Sequence, residues 1–109
     1  MKFNVVVTAN FERKVKRLSK KYLSLKADLT PVFNQLSINP TFGKPLGNNC
    51  YKIRISISSK GQGKSGGARL ITYVRFVKET VYLIDIYDKS LKESISENEI
   101  IELISLILD

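Results

Sequence analysis

Tyr51-Lys-Ile-Arg-Ile-Ser-Ile-Ser58, Ala68-Arg-Leu-Ile-Thr-Tyr-Val-Arg-Phe76 and Val81-Tyr-Leu-Ile-Asp-Ile-Tyr87 decide the fold. Successive side chains of a strand point to opposite faces, and the first segment alternates without exception. Tyr51, Ile53, Ile55 and Ile57 fall on one side, Lys52, Arg54, Ser56 and Ser58 on the other. One face belongs to a core and the other is cationic. The second segment is rich in β-branched and aromatic residues, and the continuous apolar run of the third suits a strand covered on both faces. A glycine-rich basic loop, Ser59-Lys-Gly-Gln-Gly-Lys-Ser-Gly-Gly67, joins the first two segments, and the third runs on into Asp88-Lys-Ser90.

Upstream of this block, Asn39-Pro-Thr-Phe-Gly-Lys-Pro-Leu-Gly-Asn-Asn49 is dense in turn formers and reads as a loop. Before it stand two helical patterns. Phe11, Val15, Leu18 and Tyr22 repeat at helical spacing behind Asn10 as the expected N-cap, with an outer face of Arg13, Lys14, Lys16, Arg17, Lys20 and Lys21. That face serves either solvation or phosphate contact. Leu25, Leu29, Val32, Phe33 and Leu36 form the second stripe, in which Pro31 predicts a kink or a restart capped by Thr30. Val5-Val-Val7 is too short for the apolar core of a signal peptide and reads as an edge strand. At the other end Ser96-Glu-Asn-Glu99 is a capping box, and Ile100, Ile101, Leu103, Ile104, Ile107 and Leu108 make the last helix unusually apolar, so it is expected to be covered by this chain or by a partner. The order is βααβββα over residues 1–109: one α+β domain with a mainly antiparallel sheet.

Of 109 residues 43% are hydrophobic, which is enough for a core that buries about two-thirds of the unfolded surface. The net charge of +8 is unevenly placed. Residues 1–78 hold sixteen Lys and Arg against two acids, whereas residues 79–109 hold two against eight. The first three-quarters of the chain is suited to a polyanion. No apolar run approaches the length of a membrane span, and the cations are not confined to one amphipathic helix, so the expectation is a cytoplasmic protein without a membrane partner. Cys50 has neither a second Cys nor any His beside it, which leaves it a packing role.

Two nucleotide-binding spacings occur in the loop. Gly61-Gln-Gly-Lys-Ser-Gly66 matches G-x-G-x-x-G, and Gly63-Lys-Ser65 matches the end of a Walker A loop. Neither fits its context: the Walker spacing needs glycine where Ser58 stands, and both motifs open a helix, whereas Ala68-Arg-Leu-Ile-Thr-Tyr-Val74 is a strand. The loop is either a plain hairpin connection or a place where glycines admit phosphates to the backbone and Lys60 and Lys64 neutralise them.

Asn39-Pro40 with Gly43, Pro45-Leu-Gly47, Cys50-Tyr-Lys-Ile-Arg54, Gly63-Lys-Ser-Gly-Gly-Ala-Arg-Leu-Ile71 and Val81-Tyr-Leu-Ile-Asp-Ile-Tyr-Asp-Lys-Ser90 together resemble the RelE/ParE superfamily of type II toxins. Within it the chain resembles RelE-like messenger RNA interferases with a long loop between the second and third strands, the HigB-like kind. The resemblance covers nearly the whole chain. It implies a RelE-like fold and a toxin that enters the ribosomal A site and cuts messenger RNA there without metal or cofactor. A neighbouring antitoxin of helix-turn-helix type is the implied restraining partner. Carried over by position, Lys52, Arg54, Arg69 and Lys89 are the implied catalytic cations. Lys60 and Lys64 of the loop, Arg75 and the nearby aromatic Tyr87 are the candidate RNA-binding residues. The chain departs from the pattern at Ser90, where relatives have an arginine, and near Ser96, where they have a tyrosine.

Such chemistry must run without histidine. Asp85 and Asp88, three apart on a strand, are expected on opposite faces and offer no carboxylate cluster. A lysine acting as base near neutral pH must have its pKa lowered by roughly three units, about 4 kcal/mol, which crowding by Arg54 and Arg69 partly supplies. Preorganised cations at a developing charge contribute about 3 to 4 kcal/mol each where water is excluded. The reading is therefore that Arg54 and Arg69 stabilise the phosphate, Lys52 or Lys89 handles a proton, and Lys60 and Lys64 position the RNA. A gyrase poison of ParE type and a non-catalytic RNA- or ribosome-binding module of the same fold are the alternatives.

Overall fold

The computed structural model describes residues 2–59 and 66–107. Its elements are β1 (Asn4–Val7), α1 (Ala9–Lys21), α2 (Leu25–Ile38), β2 (Lys44–Gly47), β3 (Cys50–Ile55), β4 (Ala68–Arg75), a 3₁₀ turn (Phe76–Lys78), β5 (Thr80–Asp88) and α3 (Glu97–Ser105). The strands form one sheet in the order β1-β5-β4-β3-β2. β1 lies parallel to β5 at one edge, and every other pairing is antiparallel. The α+β reading with a mainly antiparallel sheet holds.

The alternation of β3 divides the protein into two layers. Ile53, Ile55 and Ile57 join Leu70, Val74, Leu83 and Ile86 beneath α1 and α2, where Phe11, Leu25, Leu29 and Leu36 complete the larger core. Cys50, Ile71, Ile84 and Tyr87 face the other way and are covered by Ile100, with Leu103, Ile104 and Ile107 packed alongside. This chain therefore covers Ile100, Leu103, Ile104 and Ile107 itself, whereas Ile101 is exposed and Leu108 lies outside the described residues. The capping box is formed as expected, with the Ser96 hydroxyl accepting from the Glu99 amide and the Glu99 carboxylate accepting from the Ser96 amide.

Three local expectations are corrected. Thr8, not Asn10, caps α1: it stands in extended geometry at the end of β1 and accepts from the Phe11 amide. Asn10 instead donates to the Ile84 carbonyl at 2.8 Å, tying the helix to β5. α2 runs through Pro31 without restarting, and Thr30 caps nothing, its hydroxyl donating back to the Lys26 carbonyl. Thirdly, the turn-rich stretch contains β2. Pro45 is tolerated there because β2 is an edge strand, and Asn48 and Asn49, both left-handed at φ 56° and 60°, make the two-residue turn into β3. Asp85 and Asp88 stand three apart on an unbroken stretch of β5, opposite Ile71 and Ala68, with a bulge at Ile84 preceding both. Both carboxylates nevertheless reach cations of α1, Asp85 accepting from Lys14 and Asp88 facing Lys21.

Gly43 shows why the entry to β2 demands glycine. Its φ is +115°, and a Cβ there would lie 2.7 Å from the Lys52 carbonyl oxygen and 2.9 Å from Ile53 Cγ1. The chain crosses β3 too closely for any side chain.

Candidate functional site

The layer division places Lys52 and Arg54 of β3 and Arg69 of β4 on the sheet face that also carries α3. Lys52 and Arg54 share the face of Cys50, and Arg69 shares that of Ile71. Register then sets them in rows. Arg54 is directly opposite Arg69, and Arg69 is directly opposite Tyr87, so one row crosses three strands. Directly opposed residues hold their Cβ atoms about 5 Å apart, and like charges so placed are destabilising. An anion between the two guanidinium groups relieves that cost.

Lys52 and Lys44 make a second pair, opposite one another on β3 and β2. Burial lowers the pKa of Lys52, and the charges of Lys44, Arg69, Arg54 and Lys89 lower it further. Four cations thus converge on Lys52. Arg69 is only 4% exposed, with Nη1 donating to the Ala68 carbonyl at 3.1 Å. Burial, then Arg54, also depress its pKa, while Tyr87 opposes them. Arg54 is exposed. A cleft of about 290 Å³ lined by Phe42, Gly43, Lys44, Lys52, Ile53 and Arg54 opens beside the pair.

Tyr87 closes the row. It is 5% exposed, and its hydroxyl has no hydrogen-bond partner among the described residues. Burial raises its pKa, Arg69 working against that and Asp85 and Glu99 with it. Lys92 Nζ lies 5.4 Å from the ring centroid and pairs with Glu99 of the capping box, so the start of α3 is joined to the site. Lys89 follows β5 directly. Its amide donates to the Gly67 carbonyl at 3.0 Å and its ammonium to the Glu93 carbonyl at 2.9 Å.

Lys52, Arg54, Arg69, Lys89 and Tyr87 are therefore brought together. Arg75 is not: it ends β4 opposite Thr80, six residues from Arg69 and some 20 Å away at about 3.3 Å per residue. Lys60 and Lys64 lie outside the described residues. Tyr73, four residues from Arg69 on the same face, stacks on Tyr82 at 6.1 Å within the α3 core. Ser90 and Ser96 have structural duties, Ser90 donating to Asp88 and Ser96 capping α3. The basic face of α1 is partly committed too, since Lys14 pairs with Asp85 at 2.6 Å.

Sequence reasoning missed Lys44, because the stretch around it reads as a loop. Its signal was present: a lysine beside a turn that folds back onto the Lys52 strand. Among the described residues no three His, Cys, Asp or Glu side chains gather as metal ligands. A concavity of about 490 Å³ between α1 and α2 is floored by Phe11, Val15, Leu29 and Phe33, with Glu12, Lys16 and Lys26 at its rim.

No family model matches the chain. Solved structures do. A double arginine-to-alanine mutant of the E. coli toxin RelE in the free state superposes with a TM-score of 0.65 at 18% identity, covering 99% of this chain and all of that one. The isolated E. coli RelE toxin gives 0.51 at 22% identity, over 97% and 99% of the two chains. The toxin–antitoxin complex RelBE2 from Mycobacterium tuberculosis gives 0.56 at 20% identity, over 81% and 92%. With the five-stranded sheet, the two N-terminal helices on one face and the capped C-terminal helix on the other, the chain has the fold of the RelE toxins.

Proposed function

We propose that the protein is the toxin of a toxin–antitoxin pair and cuts messenger RNA on the ribosome. The row Arg54–Arg69–Tyr87, with Lys52 behind it, is the observation that carries the reading. In the reaction the 2′-oxygen bonds to the neighbouring phosphorus, the bond to the 5′-oxygen breaks, and a proton passes from the 2′-hydroxyl to a base while the leaving oxygen gains one. Arg54 and Arg69 stabilise the charge that grows on the phosphate oxygens. Lys52 takes the 2′ proton, because burial, and then the surrounding cations, favour its neutral form. Lys89 meets the leaving side. The ribosome supplies the in-line geometry that so small a cleft does not enforce.

The fold shared with RelE supports the toxin role, and the antitoxin partnership of RelBE2 is extended to this chain on the same ground. Cell-free translation with mapping of message 3′ ends tests the reading. Cuts in the A site by the wild type, absent with Arg54→Gln, are expected; an intact message with the wild type overturns it. A second reading, an RNA-binding module without cleavage, draws on the structural use of Ser90 and Ser96. It predicts an intact message that is nevertheless bound. Intact RNA with a supercoiling defect points instead to a gyrase poison.

A further inference from the structure

We propose that Asp88, with Tyr22 and Ser90, is a positioning device that fixes the turn carrying Lys89 and Lys92 against the site. The inference rests on the RNA-cleaving reading only for what the turn presents its charges to. Asp88 is the last residue of β5, paired with Ala68, and is 3% exposed. A carboxylate is costly to bury without donors, and here both oxygens are used. Oδ2 accepts from the Tyr22 hydroxyl at 2.6 Å and faces Lys21 Nζ at 3.8 Å. Oδ1 accepts from the Ser90 amide at 3.0 Å and from the Ser90 hydroxyl at 2.7 Å.

The backbone of the same residue closes the turn from the other side. The Asp88 carbonyl accepts from the amides of Leu91 and Lys92, both at 3.0 Å. Lys89 therefore sits between two residues fixed to one carboxylate, with its own amide bonded to Gly67 at the start of β4. The oxygen that holds Tyr22 ties this turn to the end of α1, across the sheet edge from the cations. An aspartate two residues before the amide it accepts from is a recurrent turn device; what sets this one apart is that its second oxygen is committed to another element. Position 90 accordingly serves by holding Lys89 in place rather than by bringing a charge of its own.

Two readouts on the full chain test the device. The first needs no activity: amide hydrogen exchange at Lys89, Ser90, Leu91 and Lys92 in the free protein. Ser90→Ala and Asp88→Ala are expected to speed exchange there by about tenfold or more while Leu70 and Ile84 keep their protection, and Ser90→Thr, which retains the hydroxyl, is expected to restore it. Unchanged exchange in both alanine variants overturns the proposal. The second is single-turnover message cleavage. Ser90→Ala is expected to slow it about tenfold, with Ser90→Thr near wild type, and to add nothing in a Lys89→Ala background. Slowing that is fully additive with Lys89→Ala overturns the positioning role. If the wild-type protein cuts no message, the proposed function fails by itself and the exchange result still decides whether Asp88 fixes the turn.

Discussion

Arg54 and Arg69 occupy equivalent register positions on adjacent strands, yet one is exposed and the other buried. Substitution separates their contributions accordingly. Arg54→Gln is expected to leave the melting temperature within about a degree or two of wild type and to cut the cleavage rate by about 10²- to 10³-fold, the scale of removing one preorganised charge from a developing anion. Arg69 shares its burial with Tyr87 and Ala68, so its loss mixes stability with chemistry. Lys52 carries a pH prediction. Its pKa is lowered, so a base function makes the rate rise with pH through a value below the ordinary lysine value of about 10.4. Lys44 is the strongest of the charges acting on it. Lys44→Gln removes one cause of the depression, and the rising limb is expected to move to higher pH. A limb that stays in place in a pH–rate profile removes Lys52 from the base role. At this scale the sequence showed Lys52, Arg54, Arg69 and Lys89 but not Lys44, because opposition across a hairpin depends on which turn closes it.

Among the elements, α3 and α2 each carry a testable joint. Ser96→Ala removes the hydroxyl half of the capping box and is expected to cost about 1 kcal/mol in denaturant unfolding, with the cleavage rate of the folded protein unchanged. A large loss of rate at full folding would give Ser96 a chemical role that its geometry does not provide. The first turn of α2 is pinned to the end of β3 through Asp28. Its carboxylate accepts from the Ser58 amide at 2.9 Å, the Ser58 hydroxyl at 2.6 Å and the Ser24 hydroxyl at 2.8 Å. Burial pushes the Asp28 pKa up, but the Ser58 and Ser24 hydrogen bonds outweigh it and bring the pKa below the usual carboxylate value. A depressed folded-state pKa stabilises above the unfolded value, and that stability is lost as pH falls through the folded value. Asp28→Asn is therefore expected to flatten the loss of stability in the acid range, measured by urea unfolding across pH. The capping box was legible because both its partners are local. The Asp28 joint was not, since thirty residues separate the carboxylate from Ser58.

Over the whole molecule, the excess of cations in residues 1–78 and the acids beyond Glu79 are folded together rather than kept apart. Asp85 and Asp88, from the acidic portion, meet Lys14 and Lys21 of the basic helix. Lys44, Lys52, Arg54, Arg69 and Lys89 gather where β2, β3 and β4 meet the turn after β5. Single-stranded RNA binding should fall with salt at a slope of about −0.7 for each phosphate contacted, so four engaged cations give about −3 on a double-logarithmic plot. A slope near zero would mean that the cluster meets no phosphate. Among the described residues no helix is long and apolar enough to cross a membrane.

Local periodicity and capping determined the helices, the three long strands and the two-faced character of β3, because alternation and helical spacing are properties of consecutive residues. They also fixed the cationic face that carries the site. Only the tertiary structure decided the rest: that β2 pairs Lys44 with Lys52, that Asp85 and Asp88 both reach cations of α1, that α3 covers the sheet face that also carries the cations, and that Arg75 lies at the far end of the sheet. The β2–β3 register follows from the turn at Asn48-Asn49 and the others from which distant segments bury their apolar faces together, so a pattern read along one segment does not name its partner.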